Sequence, residues 1–135
     1  MDLKDELTLN LYSIYDSDIF APIMEFLQGE TRVLLFMLMS KSEEIYPSDL
    51  SEALYVTRQR ITSILSSLRK KGFIITELSQ KDRRRMQVFL TDQGKEYIVA
   101  KEEIAEDLID TLINRLGFDN VKQLSRILGM IVRKK

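Results

Sequence analysis

The chain contains no cysteine, no histidine and no tryptophan. Without cysteine there is no disulfide and no thiol redox sensor. Without cysteine and histidine the usual zinc ligands are missing, because carboxylates alone favour harder ions. Nucleophilic catalysis of the Ser-His or Cys-His kind is excluded on the same ground. Carboxylate, lysine and tyrosine chemistry stay open by composition, yet no spacing of these residues suggests a reaction. An enzyme is therefore not expected, nor a cofactor, nor a metal. Glycine and proline number 5 and 2, and no internal repeat, low-complexity tract or long linker interrupts the chain. Long apolar runs are also missing: the longest, Val33 to Met39, has seven residues, against the roughly 20 that span a bilayer. The opening MDLKDEL is charged and has no apolar core segment, so a secretory leader is not expected. A cytoplasmic protein is the default.

What is present fits a globular domain. The 135 residues are 44% apolar and 30% charged, enough for one domain, or one tightly joined unit, with a real core. The formal net charge of −1 hides an asymmetry. Residues 1–56 carry 3 cations and 11 anions, net −8; residues 57–95 carry 10 cations and 3 anions, net +7; residues 96–135 carry 7 of each. A basic run is often only a solvated face. Here the whole excess lies in one block, which makes a basic patch on an acidic body.

Hydrophobic periodicity divides the chain into elements. Leu3, Leu7, Leu11 and Ile14 suit a helix within residues 3–20, with Asp16, Ser17 and Asp18 as stop signals. Pro22 opens a short segment that Gly29 breaks. Residues 30–40, apolar nearly all round, read as a buried helix. Pro47 suits a first helical position, and Leu50, Ala53 and Leu54 give the short helix after it an inner face. Thr57 has the chemistry of an N-cap. From it Ile61, Ile64, Leu65 and Leu68 form one buried stripe, with Gln59, Ser63, Ser66 and Lys70 opposite. Arg69, Lys70 and Lys71 suit the negative end of that helix, and Gly72 its left-handed cap. Residues 73–78 and Met86 to Leu90 read as strands. Thr91 caps a long helix from Asp92 to Leu116, ended by Gly117. Asp119 is placed to cap a last helix, with Val121, Leu124, Leu128 and Ile131 on one face.

Short helix, tight turn, capped amphipathic helix and basic hairpin follow one another in that order. The first three make a helix-turn-helix, whose second helix enters the major groove, which admits one helix. Thr57, Arg58, Gln59, Arg60, Thr62 and Ser63, at the start of that helix, supply the polar and forked side chains that read base edges; glutamine suits adenine and arginine guanine. The bland reading makes them ordinary exposed helix residues, and the neighbouring basic hairpin argues against it. The hairpin tip carries Lys81, Asp82, Arg83, Arg84 and Arg85. On a strand, neighbours face opposite ways, so the expected division is one arginine in a narrow minor groove and others on phosphates. Asp82 is either a turn residue or a carboxylate that holds an arginine fork in its aimed geometry.

The run DRRRMQVFLTDQG, preceded by LRKKGFI, resembles the wing and flanks of the MarR (multiple antibiotic resistance regulator) family of winged-helix repressors. The likeness extends over about Gly29 to Tyr97, half of the chain. It implies that Arg84 is the minor-groove arginine, that Asp82 is its brace, and that the helix beginning at Thr57 reads bases. It also implies that the terminal helices form a homodimer, and that a small aromatic or phenolic effector is a further partner. Tyr12, Tyr15, Met24, Phe36 and Met37 are candidates to line an effector cavity, or are plain core. Two positions depart from the family pattern: Tyr55 stands where glycine is common, and Ser51 where alanine is. Lacking cysteine and histidine, the chain has neither the family's thiol-based peroxide sensing nor the ligands of its zinc-sensing branch.

The expected fold is mainly α with a small β-hairpin wing, a winged helix-turn-helix flanked by N- and C-terminal dimerisation helices. Residues 1–28 are an N-terminal dimerisation segment, 29–95 the DNA-binding region and 96–135 the C-terminal dimerisation helices. The terminal helices carry more apolar stripe than a three-helix winged domain needs to cover, which points to a second copy independently of the resemblance, or else to an enlarged monomer core. A twofold dimer would set two reading helices about 34 Å apart on a near-palindromic operator. The expected function is a sequence-specific regulator of transcription, a homodimeric repressor whose release by an effector is an option. The rival is a winged-helix component of a transcription or nucleic-acid complex, acting through protein contacts or non-specific DNA binding.

Overall fold

A computed structural model describes residues 1–132. Among them are seven α-helices and one two-stranded antiparallel sheet: α1 Leu3–Ile14, α2 Phe20–Phe26, α3 Gly29–Met39, α4 Pro47–Leu54, α5 Arg58–Lys70, β1 Ile74–Leu78, β2 Met86–Leu90, α6 Asp92–Leu116 and α7 Phe118–Ile131. This is the mainly α architecture with a hairpin wing that the residue pattern suggests. The chain divides into two compact units, residues 24–102 and residues 1–23 with 103–135. Residues 133–135, the end of the C-terminal segment, lie outside the described residues.

Residues 24–102 hold the core. Val33, Leu34 and Met37 of α3, Leu50 and Leu54 of α4, and Ile61, Leu65 and Leu68 of α5 meet Ile74, Val88 and Ile98 in one buried cluster. Burial of each such side chain contributes about 1.5–3 kcal/mol before entropy is counted. The α5 stripe is the expected one, with Ile64 only half-buried at its edge. Helix α3 is the buried helix that its composition suggests, with Val33, Leu34 and Met37 in the core. It packs on α4, α5 and β2; Gly29 to Leu38 are buried or half-buried, and Met39 at its end is 67% exposed.

The hairpin is in simple register from Ile74 opposite Leu90 to Leu78 opposite Met86. The Val88 N–H donates to the Ile45 carbonyl at 2.9 Å, so the segment before α4 lies along the free edge of β2. The α5–β1 junction is tight. Gly72 takes φ +79, its carbonyl accepts from Thr91 Oγ1 at 2.7 Å, and Thr91 Oγ1 in turn accepts from the Gly94 N–H at 3.0 Å to cap α6.

Three boundaries differ from the sequence reading. Helix α2 starts at Phe20, ahead of Pro22, because Ser17 Oγ accepts from the Phe20 N–H at 2.8 Å and a proline in the first turn forfeits no helical bond. Gly29 does not end a segment but opens α3 at φ +58. Asp119 does not cap α7. Gly117 holds that position at φ +87 and puts Asp119 in the first turn, since a glycine reverses the chain in one residue and leaves no loop between the helices.

Residues 1–23 with 103–135 are organised differently. No residue of α1 or α7 is buried. Arg115 grips Asp18 through two bonds of 3.0 and 2.9 Å. That hydrogen bonding holds the Asp18 carboxyl below its ordinary 3.8 and raises the guanidinium. Among the described residues no helix is long and apolar enough to cross a membrane.

Candidate nucleic-acid interface

Helices α4 and α5 are joined by Tyr55, Val56 and Thr57. Tyr55 adopts the left-handed conformation, φ 55 and ψ 44, at a cost of about 1–2 kcal/mol for a residue with a Cβ. The turn thus keeps the geometry glycine would give, with a tyrosine in it. Ser51, the other departure from the family pattern, donates its hydroxyl to the Val56 carbonyl at 2.6 Å, so a side chain supports the turn from below. Thr57 Oγ1 then accepts from the Arg60 N–H at 3.1 Å, the expected N-cap.

The fixed start of α5 presents Thr57, Arg58, Gln59, Arg60, Thr62 and Ser63, all exposed. Thr62 spends its hydroxyl proton on the Arg58 carbonyl at 2.9 Å, which leaves it an acceptor and a methyl group. Further along, Glu30 accepts from Ser67 at 3.1 Å and from Lys71 at 3.0 Å, and this pins α5 to α3.

Lys81, Asp82, Arg83, Arg84 and Arg85 come together on the loop between the strands. The three arginines precede β2, so the strand alternation invoked for them does not apply: turn geometry decides where each one goes. Arg84 is 91% exposed, and its Nε lies 3.3 Å from Asp82 Oδ1, which also accepts the Arg84 N–H at 3.1 Å. Asp82 is thus a turn residue that also contacts the Arg84 side chain, through one oxygen rather than a two-toothed fork. Lys81 lies 3.6 Å from Glu44. Arg85 turns the other way. Its guanidinium stands 3.6 Å above the Tyr46 ring and donates to Ser48 Oγ at 3.1 Å.

Helix and wing share one surface. A shallow cleft of about 200 Å³ is lined by Tyr46, Pro47, Ser48, Arg58, Arg85 and Met86, so an arginine of α5 and an arginine of the wing face the same space. Tyr46, Ser48 and Ser79 are the participants that sequence reasoning missed. Tyr46 and Ser79 are 33 positions apart, and no local pattern connects them. Of the residues considered for an effector cavity, Met37 belongs to the core cluster and Phe36 packs against it; Met24 is half-buried, and Tyr12 and Tyr15 are exposed. Among the described residues no group of acidic side chains gathers to hold a metal ion.

A helix-turn-helix with an arginine-tipped wing, offering polar side chains and cations on one surface, defines the class of winged-helix proteins. Residues 27–85 match the model of the MarR family, so this part of the chain is similar to that family. The repressor YetL of Bacillus subtilis is 28% identical over 68 residues, 50% of this chain and 41% of YetL. The regulator SarZ of Staphylococcus aureus strain MRSA252 is 26% identical over 107 residues, 67% of this chain and 72% of SarZ. The match to YetL thus spans less than half of that relative's length. Among solved structures, MepR of S. aureus in complex with DNA superposes with a TM-score of 0.73 at 17% identity, over 98% of this chain and 97% of that one. CouR bound to a 23-mer duplex gives 0.71 at 21%, over 98% and 93%. At such identities these structures establish the fold alone. By their names the relatives are regulators of transcription, not enzymes.

Proposed function

We propose that this protein is a sequence-specific double-stranded DNA-binding regulator of transcription, a homodimer that represses by occupying a promoter. The observation that carries the reading is the shared surface of α5 and the wing, where Arg58 and Arg85 line one cleft while Arg84 stands almost wholly exposed beside it, paired with Asp82. Thr57 through Arg60, Thr62 and Ser63 read bases in the major groove. Lys81 to Arg85 make up the wing contact, with Arg84 entering the minor groove. YetL carries the name of a repressor, and the MepR and CouR structures hold DNA. Dimerisation is supported by the exposed apolar side chains of Leu3, Leu7 and Leu11 on α1 and of Phe118, Met130 and Ile131 on α7, since apolar faces of this kind are usually covered by a partner. The segments 1–28 and 96–135 are assigned to this contact and 29–95 to DNA. Relief by a small aromatic or phenolic effector rests on the family resemblance.

The test is fluorescence anisotropy on a duplex from the DNA upstream of the protein's own gene, in excess random competitor, at two salt concentrations. Binding that survives competitor and falls steeply with salt is expected, as neutralisation of about six to ten phosphates requires. Arg84→Ala is expected to lose about 1–3 kcal/mol of affinity. Binding that vanishes with competitor, on this duplex and on a random pool, would favour a winged-helix component that works through protein contacts or non-specific DNA binding.

A further inference from the structure

A wing that inserts an arginine into a groove has to be aimed, and a loop closed only at its neck is free to hinge about that neck. Here the Ser79 N–H donates to the Arg85 carbonyl at 2.9 Å, so Ser79 and Arg85 are the two sides of the neck. Tyr46 touches both. Its hydroxyl hydrogen-bonds Ser79 Oγ at 2.9 Å and Glu44 Oε2 at 3.1 Å, and its ring lies 3.6 Å beneath the Arg85 guanidinium. The Ser79 hydroxyl is 1% exposed and also accepts the Lys81 and Asp82 N–H groups at 3.2 Å. Its contact with Tyr46 therefore reaches the Asp82 turn that contacts Arg84.

Tyr46 is itself enclosed and tethered. It is 7% exposed, and its N–H is held by the Asp49 carboxylate at 2.9 Å. The adjoining Ile45 carbonyl accepts from Val88. Arg85 completes the frame by reaching Ser48 in the first turn of α4. One attachment leaves a hinge, whereas two on opposite sides of the neck leave no free rotation.

We propose that Tyr46 is a positioning residue for the wing and that Arg85 is the arm it grips, so that Arg85 orients the loop while Arg84 contacts DNA. The proposal rests on the DNA-binding reading above. It departs from the plain expectation that all three arginines contact DNA, and it gives Arg85 a task that its exposure alone does not suggest.

The test is a double-mutant cycle on the full chain, using the duplex that the wild-type protein enriches from a random-sequence pool. Tyr46→Leu is expected to weaken binding about tenfold alone and less than about twofold in an Arg84→Ala background, because a loss delivered through Arg84 disappears with it. Arg85→Met should show the same non-additivity with the salt dependence unchanged, whereas loss of a direct phosphate contact would lower the salt slope by about one. Tyr46→Phe, which keeps the ring under Arg85 but loses the bond to Ser79, should fall between Tyr46→Leu and the wild type. Losses that multiply in the Arg84→Ala background would overturn the proposal and make Tyr46 a merely structural residue. Arg85→Met alters an exposed side chain and decides the matter if Tyr46→Leu fails to fold. A wild-type protein that enriches no duplex would instead sink the DNA-binding reading, and this inference with it.

Discussion

Gly94 shows how one residue can be required by a contact rather than by its own turn. A Cβ placed there would stand 2.1 Å from the Phe73 carbonyl oxygen and 2.9 Å from its carbon. Both are backbone atoms that cannot swing aside, because the Phe73 carbonyl accepts the Thr91 N–H at 3.0 Å. The start of α6 therefore crosses the start of the wing at a separation only glycine permits. Gly94→Ala is expected to destabilise the fold by about 1–3 kcal/mol or more through overpacking, read as a lower urea midpoint with the slope unchanged. A midpoint equal to wild type would mean that α6 and the wing do not approach this closely. Tyr55 presents the opposite case. A side chain sits where the backbone asks for glycine, φ 55, and Ser51 supports the turn with its bond to Val56.

At the scale of the element, α5 depends on its first turn, since every side chain assigned to base reading lies within or next to it. The Thr57 cap fixes where that turn begins. Thr57→Ala should cost about 1 kcal/mol of stability, while Thr57→Ser, which keeps the acceptor oxygen, should cost less than half of that. Both are measured by equilibrium denaturation without DNA, which separates the cap from any contact Thr57 makes to a base. Equal losses for the two variants would show that the threonine methyl, not the cap, is what matters. The α1 and α7 helices differ from α5 in kind. They are amphipathic, yet none of their residues is buried within the chain, so their own packing does little to hold them.

At the scale of the whole molecule, the proposed dimer would give that exposure a use. Paired copies would cover the α1 and α7 faces and place two α5 helices on one duplex. Leu7→Glu together with Ile131→Glu is expected to halve the molar mass seen by light scattering at micromolar concentration. It should also weaken operator binding far more than it weakens binding of a half-site duplex, because the second reading helix is lost along with the dimer. An unchanged mass would move the interface elsewhere. The bond between Asp18 and Arg115 adds little to this balance near neutral pH, both side chains being exposed to solvent and salt. Its contribution is in place above the ordinary carboxylate range and is lost as acid protonates Asp18 through its lowered value.

The sequence by itself determined the elements and the class. Periodicities of 3.6 and 2, the Thr57 cap, Gly72 and Gly117 as helix ends, and the Arg-rich tip all act over a few residues, so they are legible locally. Lys81 to Arg85 and the exposed residues from Thr57 to Ser63 are proposed as DNA contacts on such local grounds. What only the tertiary structure decided is which arginine pairs with the turn and which lies over Tyr46. Arg84 and Arg85 are chemically identical neighbours, and their difference comes from Asp82 two residues before the one and from the Tyr46 ring beneath the other. The partner of Ser79 and the need for Gly94 were hidden for the same reason. Each depends on backbone brought close by packing from far along the chain, and no propensity or spacing encodes a contact whose other half lies tens of residues away.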